Sequence, residues 1–298
     1  MKRIDIKVDY RCNNNCIFCV IGEEGRKAKG VTVSEIKKEL DFARQSGATE
    51  VAFTGGEPTI RKEIIELIKY AKNLDYKSIM LITNGRMLSK KEFARKSVNA
   101  GCNKFMFSIH GIGNNHDDLT RSPGSFKQAI QGMKNIKNLG QEMISDTVAT
   151  KQNYKNLPEI IHTLINHGSQ ICQIDFVIPS GNALKFKEIV LPRLSECAPY
   201  VHKTIDYVTN KGKSQIIVMG IPNCFMKGYE TYMNEPRVPS INIVSPQSVH
   251  AEVDYNTQRK SNKVRLDACC VCEHFIRCEG IWPNYLAQFG QGEFVPER

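Results

Sequence analysis

The sequence predicts an α/β chain: a partial (β/α)6 barrel of the TIM type, followed by an irregular, cysteine-rich C-terminal extension. Three observations carry this. Over the first two-thirds of the 298 residues, short period-two segments alternate with amphipathic helical ones. The links between them are short, which implies parallel strands joined by right-handed crossovers. Past about residue 220 the alternation stops, and Pro, Asn and Cys become frequent. Six βα units are too few for a closed eight-stranded barrel. An open one is expected, with its ligands at the carboxyl ends of the strands. The expected division is a barrel at 1–220 and an extension at 221–298.

Each element has a local reason. Ile4, Ile6 and Val8 alternate with polar residues and mark the first strand. Thr32 and Glu35 form a capping box opening a helix with Val33, Ile36, Leu40 and Ala43 on one face, stopped at Gly47. A second strand is expected at 51–54, then a helix carrying Ile60, Ile64, Leu67, Ile68 and Ala71. A third is expected at 79–83, with Ser89 and Glu92 capping the next helix. A fourth is expected over 104–110, with Ser125 and Gln128 capping a helix that runs to Gly140. A fifth is expected at 143–150, and a helix starts near Asn156 with Pro158 in its first turn. The sixth is expected at 171–178. A less regular helical stretch at about 192–210 leads to a weaker seventh strand at 216–219.

Hydrophobic residues make up 41% of the chain, enough to bury a sizeable core and to exclude general disorder. Forty-one Lys and Arg against 31 Asp and Glu leave a net charge of +10, which suits an acidic partner. The lysines are spread along helical segments rather than massed in one run, which points away from nucleic acid. No segment reaches the ~18 apolar residues of a membrane span, and the N-terminus lacks an apolar signal core. A cytoplasmic protein without membrane association is expected. In a reducing compartment, 11 cysteines point to metal or redox chemistry rather than disulfides.

The cysteines cluster. Cys12, Cys16 and Cys19 form a C-x3-C-x2-C run just after the first strand. Three thiolates on one loop can take three corners of a cubane iron–sulfur cluster and leave one iron for an outside ligand. A zinc site completed from elsewhere is the alternative. Cys269, Cys272 and Cys278 form a second group near the C-terminus.

The surroundings of the first run resemble the radical S-adenosylmethionine (SAM) superfamily. An aromatic, Phe18, precedes the last cysteine, and Gly55-Gly56-Glu57-Pro58 follows the second strand. Thr83-Asn84-Gly85 ends the third strand, and Ser108 to Gly111 the fourth. His116 to Arg121, leading to Pro123 to Phe126, fits as well. The resemblance covers about residues 3–185. It implies a 4Fe-4S cluster on Cys12, Cys16 and Cys19, with SAM chelated at the open iron. Gly55, Gly56 and Glu57 would lie near the methionyl amine, with Pro58 fixing the chain's exit. Ser108 and Asn84 are candidates for polar contacts to SAM, and residues 175–179 would flank adenine by backbone. His110 reads as a turn histidine and Arg121 as a surface arginine. No catalytic residue is assigned.

The second group resembles the auxiliary-cluster tails called SPASM or twitch domains, with Gly280, Trp282, Tyr285, Gly290, Glu293 and Pro296 following. Cys224 is the natural fourth ligand, and one auxiliary 4Fe-4S cluster is expected because a full SPASM domain carries more cysteines. A structural zinc on the same thiolates is the competing reading. Cys270 could replace a neighbour; Cys102 and Cys172 are expected in the core, and Cys197 carries no signal.

The resemblance implies an enzyme that cleaves SAM to a 5′-deoxyadenosyl radical and takes a hydrogen atom from a substrate. A donor such as flavodoxin or ferredoxin would supply the electron. Family members with such tails mostly modify peptides, and others act on sugars, nucleosides or cofactor precursors. The first strand begins near residue 3 with no leader-binding domain before it, which weakens the peptide reading. A non-enzymatic electron carrier is a third reading, disfavoured by the intact SAM motifs.

Overall fold

Ile4, Ile6 and Val8 are buried on one side of the first strand, while Asp5 and Lys7 alternate to the other, as a period of two requires. A computed structural model describes residues 2–212, 214–235, 241–244 and 253–298; of the expected extension, 236–240 and 245–252 lie outside the described residues. The strands are β1 (Lys2–Asp9), β2 (Ala48–Gly55), β3 (Ser78–Thr83), β4 (Lys104–Ser108), β5 (Glu142–Ala149), β6 (Ile171–Phe176), β7 (Gln215–Met219), β8 (Ile241–Val244) and β9 (Val253–Asp254). They form one sheet in the order β7-β6-β5-β4-β3-β2-β1-β8-β9. Every neighbouring pair from β7 to β8 is parallel, and β9 returns antiparallel. This is the expected partial barrel.

The helices along the barrel are α1 (Gly22–Gly25), α2 (Val33–Gln45), α3 (Ile64–Asn73), α4 (Lys91–Ala100), α5 (Asn114–Thr120), α6 (Ser125–Asn138), α7 (Leu157–Asn166), α8 (Gly181–Lys185), α9 (Lys187–Val190) and α10 (Leu194–Lys211). Beyond them come α11 (Tyr255–Ser261) and α12 (Pro283–Phe289). The main core lies between sheet and helices and includes Phe53, Leu81, Phe105 and Ile174 of the strands with Leu40, Leu67, Met133 and Ile161 of the helices. Side chains of the opposite strand face form a smaller apolar floor of Ala52, Met80 and Ile144, with Ile82, Met106 and Ile171 beside it. Among the described residues no helix is long and apolar enough to cross a membrane.

Several local expectations need correction. The capping box at Thr32 and Glu35 forms, but Ser89 does not cap α4: its hydroxyl donates to the Arg86 carbonyl around a 3-10 turn. Nor does Ser125 cap α6. Gly124 holds the capping position, and Asp117 accepts from the Gly124 and Phe126 N–H groups and from the Ser125 hydroxyl. Burial alone would raise the Asp117 carboxyl, but those donors hold it below its usual range. Ile60 lies in a 3-10 turn ahead of α3, and the stretch after Pro192 is one continuous helix with Pro199 inside it. Beyond residue 220 the chain is less irregular than expected, because β8 pairs along β1 and covers an edge that would otherwise stand open.

Aromatic side chains lock the C-terminal segment to the barrel. Trp282 stacks on Phe176 of β6 with centroids 6.3 Å apart. Gly220, at φ +82°, lies so close to the indole that an added Cβ would fall 2.9 Å from it. Tyr285 is fully buried; its hydroxyl accepts from the Leu194 N–H at 2.7 Å and donates to Glu293. Tyr285→Phe orphans that buried N–H and should lower stability by about 1–3 kcal/mol, read as an earlier midpoint in denaturant unfolding.

Candidate metal centre and cofactor cavity

The loop after β1 carries Cys12, Cys16 and Cys19 and is pinned from several sides. The Asn15 and Ile17 N–H groups donate to the Thr120 and Leu119 carbonyls. Asn182 donates its backbone N–H to the Cys19 carbonyl and its side-chain amide to the Cys16 carbonyl. Arg86 reaches the Asn13 carbonyl and the Asn14 side chain, and Arg26 the Asn14 carbonyl. Burial pushes the Cys12 thiol up to about 11 and Cys16 higher still, and the neighbouring thiols add to the rise. A donor set of three thiols on one loop fits an iron–sulfur cluster, which would take the place of their protons. The Asn14 N–H already points at Cys12 Sγ from 3.3 Å.

All three cysteines open on one cavity of about 320 Å³ at the carboxyl ends of the strands. Phe18, Gly55, Gly56, Asn84 and Ser108 line the same space. Gly55 has φ +125°, and a Cβ there would lie 2.2 Å from the Asp9 carbonyl oxygen. The Gly56 and Glu57 N–H groups donate to the Asp9 and Arg11 carbonyls, drawing the two strand ends together. Only glycine permits so close an approach.

Glu57 and Pro58 come to the same strand end but stand behind the cavity wall, both buried. The Glu57 carboxylate accepts from the Thr59 N–H and hydroxyl, the Thr83 hydroxyl and the Asn84 N–H. Burial pushes this carboxyl above its usual range, against those four donors. Asn84, held in this way, donates its side-chain amide to Asn13 at 2.7 Å. His110 is more than a turn histidine. It is buried in the cavity wall, accepts from the Val148 N–H through Nδ1, and meets Phe18 edge-on at 4.6 Å. Burial pushes its pKa well down, so the ring is neutral, as its acceptor role demands. Arg121 lies over the Phe186 ring at 4.4 Å and does not line the cavity.

The second cysteine group converges from separate segments. Cys224, Cys269, Cys272 and Cys278 line one pocket whose other walls include Leu266, Phe275, Ile281 and Phe294. Burial, with the three other thiols, pushes Cys224 up to about 12. The Gly280 N–H points at Cys278 Sγ from 3.4 Å. Cys270 is exposed and outside the pocket, while Cys102, Cys172 and Cys197 are buried in the core. Four thiols and no other ligand type in the pocket suit a closed site.

Arg26 and Asp146 also line the first cavity, beside Asp175 of the 175–179 segment. Neither Arg26 nor Asp146 belongs to a motif, and a lone charge on a loop or strand looks like any other in the sequence. The inward register of Asp146 with Ile144 and Val148 on β5 is the one signal that could have found it.

A Cβ on residue 56 would fall 2.2 Å from the Arg11 carbonyl oxygen and 2.5 Å from that of Tyr10. Gly56→Ala should therefore shift the start of the cysteine loop. After anaerobic reconstitution the variant should hold about four fewer irons per chain than the wild type, with its circular dichroism preserved.

Comparison with known proteins agrees with this geometry. The radical SAM superfamily pattern matches residues 6–164. A probable GTP 3′,8-cyclase of Saccharolobus solfataricus is 28% identical over 206 residues, 68% of this chain and 65% of that protein. A PqqA peptide cyclase of Bradyrhizobium diazoefficiens is 27% identical over 217 residues, 68% of this chain and 57% of that protein. The chain thus spans less than two thirds of the length of these curated relatives. Among solved structures, Streptococcus suis SuiB bound to S-adenosylmethionine superposes with a TM-score of 0.70 at 15% identity, covering 99% of this chain and 76% of that one. An anSMEcpe structure with AdoMet and a peptide gives 0.70 at 14% identity, covering 99% of this chain and 92% of that one. These two likenesses show the shared fold. The matched pattern covers more than half of the sequence and contains every cysteine and glycine of the first cavity, and the chain belongs to the radical SAM superfamily, whose enzymes use a 4Fe-4S cluster and SAM.

Proposed function

We propose that this chain reductively cleaves SAM and abstracts a hydrogen atom from a bound peptide in the course of modifying it. The observation that carries the reading is the convergence of Cys12, Cys16 and Cys19 with Gly55, Gly56, Asn84 and Ser108 on one cavity at the strand ends. Cys12, Cys16 and Cys19 would hold a cluster that, when reduced, would supply the one electron for cleavage of SAM to methionine and a 5′-deoxyadenosyl radical. The chain's own residues bind and shelter. Gly55 and Gly56 offer backbone to the methionyl end, Asn84 and Ser108 offer polar atoms, and Phe18 and His110 wall the space against water. Cys224, Cys269, Cys272 and Cys278 would hold a second 4Fe-4S cluster in the segment from 221 onward. Its thiolates would fill every iron, which suits electron transfer rather than substrate ligation.

Room for a substrate lies next door. A second cavity, of about 850 Å³, shares Val20, Asp175, Phe176 and Ile178 with the first and is walled by Gln258, Asn262, Lys263, Trp282 and Asn284. Its amide-rich wall suits a peptide backbone. Similar proteins favour this reading too: SuiB has been solved with its precursor peptide SuiA, and PqqA peptide cyclase is named for a peptide. A sugar, nucleoside or cofactor precursor is the second reading, favoured by the likeness to GTP 3′,8-cyclase and to an AdoMet-dependent heme synthase. The net charge of +10 favours a small acidic electron donor such as flavodoxin or ferredoxin.

Anaerobically reconstituted protein with dithionite and SAM should form 5′-deoxyadenosine, and Cys16→Ala should form none above background. Undiminished cleavage in that variant would remove the assignment. A Cys12/Cys16/Cys19→Ala triple variant should keep about four irons and its brown colour on the remaining thiolates. A colourless protein with one zinc would make the second site structural.

A further inference from the structure

Two carboxyl groups inside the barrel, Asp146 and Asp175, have no ion pair among the described residues. Asp146 of β5 pairs in register with Gln173, and Val148 with Asp175 of β6, so the two aspartates are diagonal neighbours on one face of the sheet. Both line the cavity that the cysteine loop borders, and Asp175 also lines the second cavity. Gln173 Nε2 bridges both Asp175 oxygens, at 2.9 and 3.1 Å. Asp146 Oδ1 is shut away from solvent with no hydrogen-bond partner among the described residues.

Several other charges of the interior have partners, among them Arg26 of the first cavity, which donates to the Asn14 carbonyl and the Asn15 side chain. Asp5 is gripped by Arg3 at 2.7 and 3.0 Å. Lys263, which faces Asp175 from the C-terminal segment, lies over the Trp282 ring at 4.8 Å and pairs with Glu279 at 3.1 Å. Arg259 pairs with the same Glu279. Glu235 accepts the Gly220 N–H with Oε1, while its Oε2 has no hydrogen-bond partner among the described residues and its charge adds to the repulsion on Asp175. Lys7 of β1 borders the second cavity, yet among the described residues no ion pair joins it to either aspartate. Burial raises both aspartates, Asp146 to about 7, and repulsion from Asp146 raises Asp175 further, so the pair holds protons more firmly than free carboxyl groups do. A fold gains nothing from a buried carboxyl that ties no element together. A ligand that brings donors and positive charge would satisfy it.

We propose that Asp146 and Asp175 are the substrate anchor, and that they receive a basic nitrogen group, an ammonium or guanidinium, presented by the substrate. Under the peptide reading above, on which this rests, the group is a lysine or arginine side chain. The anchor sits where the two cavities meet, so it fixes which carbon of the substrate faces the cavity of the cysteine loop. Gln258, Asn262 and Asn284 are left to hold the neighbouring backbone, and Lys7 to take an anionic group.

Calorimetric titration of the reconstituted holoenzyme with SAM tests this without turnover. The probes are the Nα-acetyl methylamides of lysine, arginine and norleucine, together with glucosamine. Lysine or arginine should bind at least tenfold more tightly than norleucine. A tenfold preference for glucosamine alone would keep the anchor and move the substrate to amino sugars. Binding of the cationic probe should expel about one proton, read from the heats in buffers of different ionisation enthalpy. Norleucine should expel none. Asp146→Asn/Asp175→Asn should bring the cation-to-norleucine ratio within twofold of unity. Should the double variant fail to fold, Asp146→Asn alone should lower the ratio at least threefold. Equal affinities in the wild type, or a ratio that survives these substitutions, would overturn the proposal. So would weakened SAM binding in Asp146→Asn with the ratio unchanged, which would assign that residue to the cofactor. Failure of the radical chemistry would appear separately, as missing 5′-deoxyadenosine in the dithionite assay.

Discussion

Four hydrogen bonds converge on the buried carboxylate of Glu57, and the open end of the barrel is organised around them. Through the Thr59 N–H and hydroxyl the carboxylate shapes the turn after β2. Through the Thr83 hydroxyl and the Asn84 N–H it ties that turn to the end of β3. Asn84 then grips Asn13 in the cysteine loop. A charge-capable group in the core is destabilising unless its lone pairs are filled. Here they are filled by the backbone and side chains that must be positioned, so the penalty of burial enforces one arrangement of three segments.

The same constraint separates the two faces of the sheet. Outward-facing residues meet helices and are mostly apolar, with Thr83, Ser145 and Thr147 as buried exceptions. Inward-facing ones begin as an apolar floor around Met80 and Ile144 and become polar one layer higher, at Ser108, Asp146 and Asp175. An open barrel can keep such a polar layer because it borders a cavity and not packed side chains. Partial closure is therefore what makes room for chemistry at the strand ends.

Much of this was legible in the chain. The period-two burial of Ile4, Ile6 and Val8 is written in their spacing, and so is the capping box at Thr32. The cysteines and Gly55-Gly56 could be placed at strand ends because each follows a period-two or apolar strand pattern, and the resemblance to the radical SAM superfamily implied their role. What failed were choices among competing partners. Ser89 and Ser125 look like helix caps, but the Arg86 carbonyl and Asp117 claim their hydroxyls. β8 was invisible because a four-residue strand has little pattern of its own and pairs with the first strand of the chain. Asp146 was missed for a different reason: its register on β5 places it inward, but its unfilled oxygen leaves no mark on local sequence.

The chain contains a single tryptophan, Trp282, held between Phe176 of the barrel and the ammonium of Lys263. All indole emission from this protein therefore comes from one contact between the C-terminal segment and the barrel. Release of that contact would expose a nearly buried ring to water and shift its spectrum to the red. A chromophore among the nearby thiols would quench the emission by energy transfer. The stacking that fastens the two regions thus also equips the protein with its own optical gauge of whether they are closed.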